Sequence, residues 1–518
     1  MKDATERLTT PALVVLTQEK GLDAPIGALT TLLAQAIVAD FGDAVTVLEL
    51  DGGGPADDTT KHGVVHVSLQ APADLEGAVE ALREELPVVA RRAAYVVLDA
   101  SKRTAAFQSE LAERLAHVHL GELVGRVVHL TQSRTAPSFD GWSVLRTDLL
   151  APRLDDRAAE GLRRAASAMR NLLIKEMARL TGAAPEPRGE SYPDARITPD
   201  FCRLRLDLAT LGKLDPLVLT GLASPLRATF SRWARAVTDR RIGVALGGSG
   251  SWGYAHVALL DALDRASVPI DLIGSASSGS LMGAYYAVLG RPGLELAVRR
   301  GREFQRMAMA SMLSSAAIEH RLDVDLGPVA IEDLEILFFP VATNLTNASP
   351  EFVTRSTVGF GVRASGTAPG FFAATMAKDA LYVDGAVTDN VPALLLERMG
   401  AALVVAANAL PPPRGVRIQM PRTRGRALLA ELSLIGRGAD LLSALSLMLH
   451  DAGDVPTSST RVLYDPPGER FTLFRTFAFD KAEEIVAHVR TEKEFNDTVR
   501  ATVAAWDELR SPRRASGA

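Results

Sequence analysis

The chain is almost devoid of cysteine. Cys202 stands alone among 518 residues, so no internal disulfide can form and a cysteine-ligated metal cluster is excluded, a composition that fits a reducing compartment. Long apolar runs are missing too. No segment offers the roughly 18 uninterrupted apolar residues of a membrane span, and the apolar stretch Leu428 to Leu449 is broken by Glu431, Arg437 and Asp440. Any membrane contact is therefore expected to be peripheral. The N-terminus, Met1-Lys2-Asp3-Ala4-Thr5-Glu6-Arg7, lacks the basic start and apolar core of a secretory signal, which predicts a cytoplasmic location. Charge of one sign is scarce as well: 57 Lys and Arg stand against 62 Asp and Glu, a net charge of −5 that argues against a nucleic-acid-binding surface spread over the molecule.

What is present is a globular composition, 47% hydrophobic and 23% charged, with only 5% aromatic residues. A chain of this length exceeds one ordinary core, so at least two domains are expected. From residue 1 to 150, β-branched runs alternate with helical patterns. The runs are Leu13–Leu16, Val45–Leu48, Val64–Val67, Tyr95–Leu98 and Val127–Leu130, and Ile26–Ala39, Asp74–Leu86 and Phe107–His117 read as helices. That alternation predicts a parallel sheet in a small Rossmann-like α/β domain. Its first strand-to-helix turn, Thr17 to Asp23, carries no dinucleotide fingerprint, and a scaffold or regulatory module is the favoured reading. Residues 151 to 235 read as a helical and irregular linker, with a charged helix over Asp155–Thr181. From 236 to 518 a second βα alternation runs to a last helix, Lys481–Leu509.

Three constellations in the second half carry chemistry. The run Ile242–Leu246 feeds Gly247-Gly248-Ser249-Gly250-Ser251-Trp252-Gly253 and then a helical pattern from Tyr254. A strand that enters a glycine-rich turn and a helix leaves backbone N–H groups free to face an anion. Gly248, Gly250 and Gly253 satisfy the spacing of a dinucleotide loop, but the carboxylate required about 20 residues on would be Asp271, which begins its strand and so falls at the opposite sheet edge. The next strand ends in Gly274-Ser275-Ala276-Ser277-Ser278-Gly279-Ser280 before a helical run, the pattern of a nucleophile elbow. The competing reading is a serine-rich helix cap. The third element, Ala380-Leu381-Tyr382-Val383-Asp384-Gly385, is an apolar strand ending in Asp-Gly, which alone would read as a turn.

Taken together with Arg232–Ala234, Asp239–Gly243, Ala255-His256, Ile331–Leu334, Pro340–Thr346, Arg363–Ser365, Pro369-Gly370 and Gly283, these motifs resemble the patatin-like phospholipases. The likeness is to the neuropathy target esterase branch and covers roughly Arg232 to the C-terminus. It implies a three-layer α/β/α hydrolase domain behind the Rossmann-like one, and a Ser277–Asp384 catalytic dyad without a catalytic histidine. It also implies an oxyanion hole from the amides of Gly248, Ser249 and Gly250, an elbow framed by Ser275 and Gly279, and no cofactor or metal. The expected substrate is a phospholipid or lysophospholipid acyl ester, with possible peripheral membrane contact and no nucleic-acid partner. Among nine histidines only His256 and His320 lie near these motifs, and neither ends a strand. His256 reads as a structural helix residue, and Ser278 is the rival nucleophile.

Three positions depart from the family pattern. Ser275 replaces the first elbow glycine, Ser249 a loop glycine, and Trp252 a basic residue. They motivate an alternative, a catalytically impaired lipid-binding or regulatory protein. Arg414, Arg417, Arg422, Arg424 and Arg426, followed by the apolar run Ala427–Leu449, form a candidate element for lipid headgroups; a buried helix beside a solvated basic loop is the favoured reading.

Overall fold

The structure, a computed structural model, describes residues 12–51, 59–118, 123–135, 137, 142–151, 187–192, 200–214, 217–310, 315–369, 372–377, 380–409, 461–464 and 478–513. The charged helix over Asp155–Thr181 and the basic-apolar element over Arg414–Leu449 lie outside them. Contacts divide the chain into two compact units. One is Met1–Arg153 with Ile197–Arg241 and Asp507–Ala518; the other is Leu154–Arg196 with Ile242–Trp506.

In the first unit β1 (Ala12–Gln18), α1 (Ile26–Phe41), β2 (Val45–Leu50), β3 (Thr59–Lys61), β4 (Val64–Leu69), α2 (Leu75–Ala90), β5 (Tyr95–Asp99), α3 (Ala105–Ala116), β6 (Val124–Thr131) and β7 (Ser143–Leu150) follow in order. The five β-branched runs of the sequence all fall within strands; in β1, β2, β5 and β6 residues buried on both faces of a parallel sheet read as continuous apolar runs, whereas β4 is buried only in part. Helix α1 buries Leu29, Leu32, Leu33, Ala36 and Ile37, a 3.6-residue stripe, and ends at Gly42, whose left-handed backbone returns its N–H to the Val38 carbonyl. Asp74 and Thr104 cap α2 and α3 by accepting from the Gly77 and Phe107 amides. Leu82, Leu86, Leu111 and Leu115 from these two helices close over Leu13, Val15, Leu48 and Val96 of the sheet.

Strand order in this sheet is β3-β4-β2-β5-β1-β6-β7-β9, with β9 at Asp200–Arg205, parallel throughout except for β3. β5 is thus inserted between β2 and β1, which differs from the order of a doubly wound dinucleotide-binding sheet. Between β7 and β9, β8 (Arg188–Ser191) belongs to the second unit. β9 (Asp200–Arg205) falls where the sequence suggests a linker, yet it extends the first sheet beside β7, and α4 (Ser224–Val237) packs on α1. Two arginines hide β9 from a hydrophobicity reading. Their company explains the strand: the guanidinium groups of Arg146 and Arg203 sit 4.7 and 5.4 Å from the Phe201 ring centroid, while Cys202 and Leu204 are buried.

The second unit opens with β10 (Ile242–Leu246), α5 (Tyr254–Arg265), β11 (Leu272–Ser275) and α6 (Ser278–Leu289), followed by α7 (Arg291–Arg299), α8 (Gly301–Ala310) and α9 (Ala316–Leu326). Then come β12 (Leu337–Asn344), β13 (Ser349–Arg355), α10 (Val358–Ser365), β14 (Thr375–Ala377), β15 (Ala380–Asp384), α11 (Ala393–Arg398), β16 (Leu403–Ala407) and β17 (Arg461–Tyr464). At the C-terminus, the single helix expected over Lys481–Leu509 is two, α12 (Ala482–Val489) and α13 (Lys493–Leu509). They break where the Thr491 hydroxyl turns back to the His488 carbonyl and Asn496 caps the carbonyls of Arg490 and Glu492.

The sheet runs β14-β15-β12-β11-β10-β16-β17, with β13 pairing β12 and β8. Strands β10, β11, β12 and β16 are parallel, and Leu246 stands opposite Ser275, which stands opposite Pro340. Their carboxyl ends therefore share one edge. Beyond that edge β12 continues and pairs antiparallel with β15, setting Ala342 opposite Asp384. At the other edge Asp271 is buried and its carboxylate accepts from the Ile242 amide at 3.1 Å, so it staples strand starts far from the glycine loop.

Candidate active site

The turn after β11 places Ser277 with φ 51° and ψ −123°. A non-glycine residue with positive φ is strained, and strain of this kind persists only where surroundings over-determine it. Here they do. The Ser277 amide donates to the carbonyl oxygen and the hydroxyl of Ser365, at 3.1 and 3.0 Å. The Ala276 amide donates to Leu246 at 3.0 Å, and the Ser277 carbonyl accepts from Ser280 at 3.0 Å. Gly279 permits the close approach of the new helix to β10, since a Cβ there would lie 2.2 Å from the Leu246 carbonyl oxygen. Ser275, the departure from the elbow pattern, fits without distortion: it is fully buried and its hydroxyl accepts from Ser280 at 3.0 Å, in a chain of hydroxyls that reaches Ser365 at 2.8 Å.

Asp384 arrives from the opposite side of the same edge. Its amide donates to the Thr367 carbonyl at 2.9 Å and its carbonyl accepts from the Thr343 hydroxyl at 2.9 Å. Its carboxylate accepts from the Ala386 amide at 2.9 Å and from the Ser277 hydroxyl. Burial pushes the Asp384 pKa up to about 6, and the two hydrogen bonds hold it from rising further. The carboxyl is thus ionised at neutral pH, yet its pKa is close enough to that pH for it to exchange a proton readily.

The glycine loop is tied down more fully than its sequence suggests. Gly248 must be glycine, because a Cβ would lie 2.6 Å from the Ser277 Cβ. Of the amides expected to form an oxyanion hole, that of Gly248 donates to Asn390 Oδ1 at 2.7 Å and that of Ser249 to the Ser278 hydroxyl at 3.0 Å. Among the described residues, the amides of Gly250 and Ser278 carry no hydrogen bond. The difference from expectation arises because side chains of Asn390 and Ser278, 142 and 29 residues away in sequence, fold onto the loop. Ser278, the rival nucleophile, is buried with its hydroxyl committed to Ser249.

His256 lies fully buried on α5, with Nε2 2.7 Å from the Gly247 carbonyl. Burial drives its pKa down to about 4, so the ring is neutral at pH 7, and since a carbonyl only accepts, the proton sits on Nε2. His320 is exposed on α9. Trp252, in place of a basic residue, is buried and helps line a cavity of about 290 Å³ with Ser251, Ala478, Lys481, Glu484, Ile485 and His488. Asn390, Ser365 and Ser280 were not singled out from the sequence. Asn390 and Ser365 sit inside or beside quoted motifs, but nothing in the sequence signals which loop they reach.

The arrangement supplies a hydroxyl on a strained turn, a buried carboxylate bonded to it, and, among the described residues, amides without a hydrogen bond at Ser278 and in the glycine loop at Gly250. Comparison with known proteins accords with that chemistry. Residues 244–396 match the family model for patatin-like phospholipase. The chain is 30% identical over 196 residues to neuropathy target esterase sws of Drosophila melanogaster, covering 35% of this chain and 14% of that protein. It is 30% identical over 198 residues to lysophospholipase nte1 of Aspergillus fumigatus, covering 36% and 13%. It is 32% identical over 192 residues to human patatin-like phospholipase domain-containing protein 6, covering 34% and 14%. The matched part is thus about one-seventh of the length of these relatives. The chain carries a patatin-like phospholipase domain, and the glycine loop, Ser277 and Asp384 all lie within it.

Proposed function

We propose that the second unit is a serine acyl hydrolase that cleaves carboxylic esters of phospholipids or lysophospholipids. The observation that carries this reading is the hydrogen bond from Ser277, on its strained turn, to the buried carboxylate of Asp384. The Ser277 oxygen attacks the acyl carbon while its proton passes to Asp384, because a base of pKa near 6 is too weak to ionise serine beforehand. The carbonyl electrons move to oxygen, and we assign the resulting oxyanion to the amides of Gly250 and Ser278 in place of those of Gly248 and Ser249. The intermediate collapses, the bond to the alcohol oxygen breaks, and Asp384 returns the proton to that leaving oxygen. Water, deprotonated by Asp384 as it attacks the acyl carbon, then displaces Ser277, whose oxygen takes that proton back from Asp384 as the fatty acid leaves. Protein groups and water suffice for every step.

The lipid nature of the substrate is supported by relatives named lysophospholipase and neuropathy target esterase. Such substrates sit in bilayers or micelles, and we place the reaction at a membrane surface in peripheral contact. Among the described residues no helix is long and apolar enough to cross a membrane. The engaged amides of Gly248 and Ser249 favour a second reading, a catalytically impaired lipid-binding or regulatory protein. A fluorophosphonate probe separates the two. The hydrolase forms a covalent adduct that peptide mass mapping locates on Ser277 and that Ser277→Ala lacks; a wild-type protein that stays unlabelled belongs to the second reading.

A further inference from the structure

One peptide unit of the glycine loop is gripped at both ends. The carbonyl oxygen of Gly247 accepts from His256 Nε2 at 2.7 Å, and the next N–H, that of Gly248, donates to Asn390 Oδ1 at 2.7 Å. Both gripping side chains are fully buried. Each also leaves its other polar side-chain atom, His256 Nδ1 or Asn390 Nδ2, without a hydrogen bond among the described residues. A buried polar group with half its capacity unmet costs stability, so these two are poor choices for holding a core together. They are good choices for fixing a rotation. A peptide between two glycines turns more freely than any other, and its orientation decides where the following amides point.

The grip sits against the reacting atoms. Around the place where a Gly248 Cβ would stand, the nearest atoms are Ser277 Cβ at 2.6 Å, Asn390 Oδ1 at 3.1 Å and Ala386 Cβ at 3.3 Å. Asn390 ends the same loop that Asp384 begins, so one segment carries both the carboxylate and the support of the glycine loop. That segment is itself anchored, since the half-buried Tyr192 phenol donates to Asp389 Oδ2 at 2.6 Å.

We propose that Asn390 is a positioning residue for acyl transfer. Together with His256 it locks the Gly247–Gly248 peptide so that the amide of Gly250, not that of Gly248, meets the oxyanion. The proposal rests on the Ser277–Asp384 reading given above.

The full-length chain hydrolysing a p-nitrophenyl acyl ester tests it. Asn390→Ser removes the grip without adding bulk. It is expected to lower kcat about ten- to a hundredfold, the scale of a misplaced oxyanion donor, with KM within about twofold. The acid limb of its pH profile is expected to stay where the wild type has it. Adding His256→Leu is expected to cost no more than about threefold beyond Asn390→Ser alone, because a peptide already released at one end has little left to lose. A folded Asn390→Ser enzyme with kcat within twofold of wild type overturns the proposal. So does multiplication of the two losses, or an acid limb moved toward ordinary carboxylate values, which would mean that water had reached Asp384 through a loosened site.

Residue-resolved hydrogen exchange on wild-type protein, free and as the fluorophosphonate adduct, gives a reading that needs no variant to fold. Protection gained at the Gly250 amide supports the lock, and protection transferred to it from a released Gly248 amide contradicts it. An unlabelled and inactive wild type would instead remove the hydrolase reading, and the lock with it. Activity together with an indifferent Asn390 removes the lock alone.

Discussion

Among the described residues no cation stabilises the charge of the buried Asp384, and its elevated pKa has two consequences of opposite sign. Activity requires the ionised form, so kcat/KM for an uncharged ester is expected to rise with pH through an apparent pKa near 6 and then level. A midpoint near 4 would mean that the carboxylate is hydrated in solution. Stability runs the other way. The folded pKa, about 6, lies above the ordinary value of 3.8, so Asp384 contributes stability that is fully present below about 3.8 and lost as pH rises through about 6. At pH 7 its ionisation costs roughly 3 kcal/mol. Asp384→Asn is therefore expected to lose activity while its melting temperature at pH 7 stays level or rises. His256 acts oppositely, since its folded pKa near 4 is below the ordinary 6.5, and acidification through that window favours the unfolded chain. The sequence makes Ser277, Asp384 and the glycine loop visible because each closes a strand in a recognisable motif. Asn390 and Ser365 stay hidden, since their contacts with Gly248 and Ser277 span 142 and 88 residues and no local pattern encodes a contact across such a distance.

Strands and helices were legible wherever burial imposes a period. Val45–Leu48 and Tyr95–Leu98 read directly as β2 and β5, and the stripe of α1 reads directly as a helix. Two kinds of information were not local. The place of β5 between β2 and β1 depends on pairing, which composition does not record. β9 carries Arg203 and Arg205, whose charges mask a strand that aromatic stacking and a sheet edge accommodate. The end of α4 offers a test of how such late elements are secured. Arg240 and Asp43 form a buried ion pair, the Arg240 guanidinium also donates to the carbonyls of Leu509 and Ser511 at 3.0 Å each, and Asp43 accepts from the Arg513 amide at 2.6 Å. Asp43→Ala leaves that guanidinium buried and partly unpaired, and is expected to destabilise the first unit by about 3–5 kcal/mol in urea unfolding. A change under about 1 kcal/mol would show that solvent already reaches the pair.

For the chain as a whole, the patatin-like domain lies within the second unit, and the first unit is an α/β sheet of a different order. The polar groups at the carboxyl edge of that first sheet largely satisfy one another. Glu19 accepts from the Ser133 hydroxyl, the amides of Gln132 and Ser133 and the Thr131 hydroxyl, which hold its pKa near 2, and Arg103 binds Asp51 and three carbonyls. The central claim is that one hydroxyl and one buried carboxylate perform ester hydrolysis, and fatty-acid release from lysophospholipid micelles tests it most directly. The wild-type chain is expected to release fatty acid steadily and Ser277→Ala to fall by at least about a thousandfold, with Asp384→Asn down about a hundred- to ten-thousandfold. Release by Ser277→Ala at more than a tenth of the wild-type rate would contradict it.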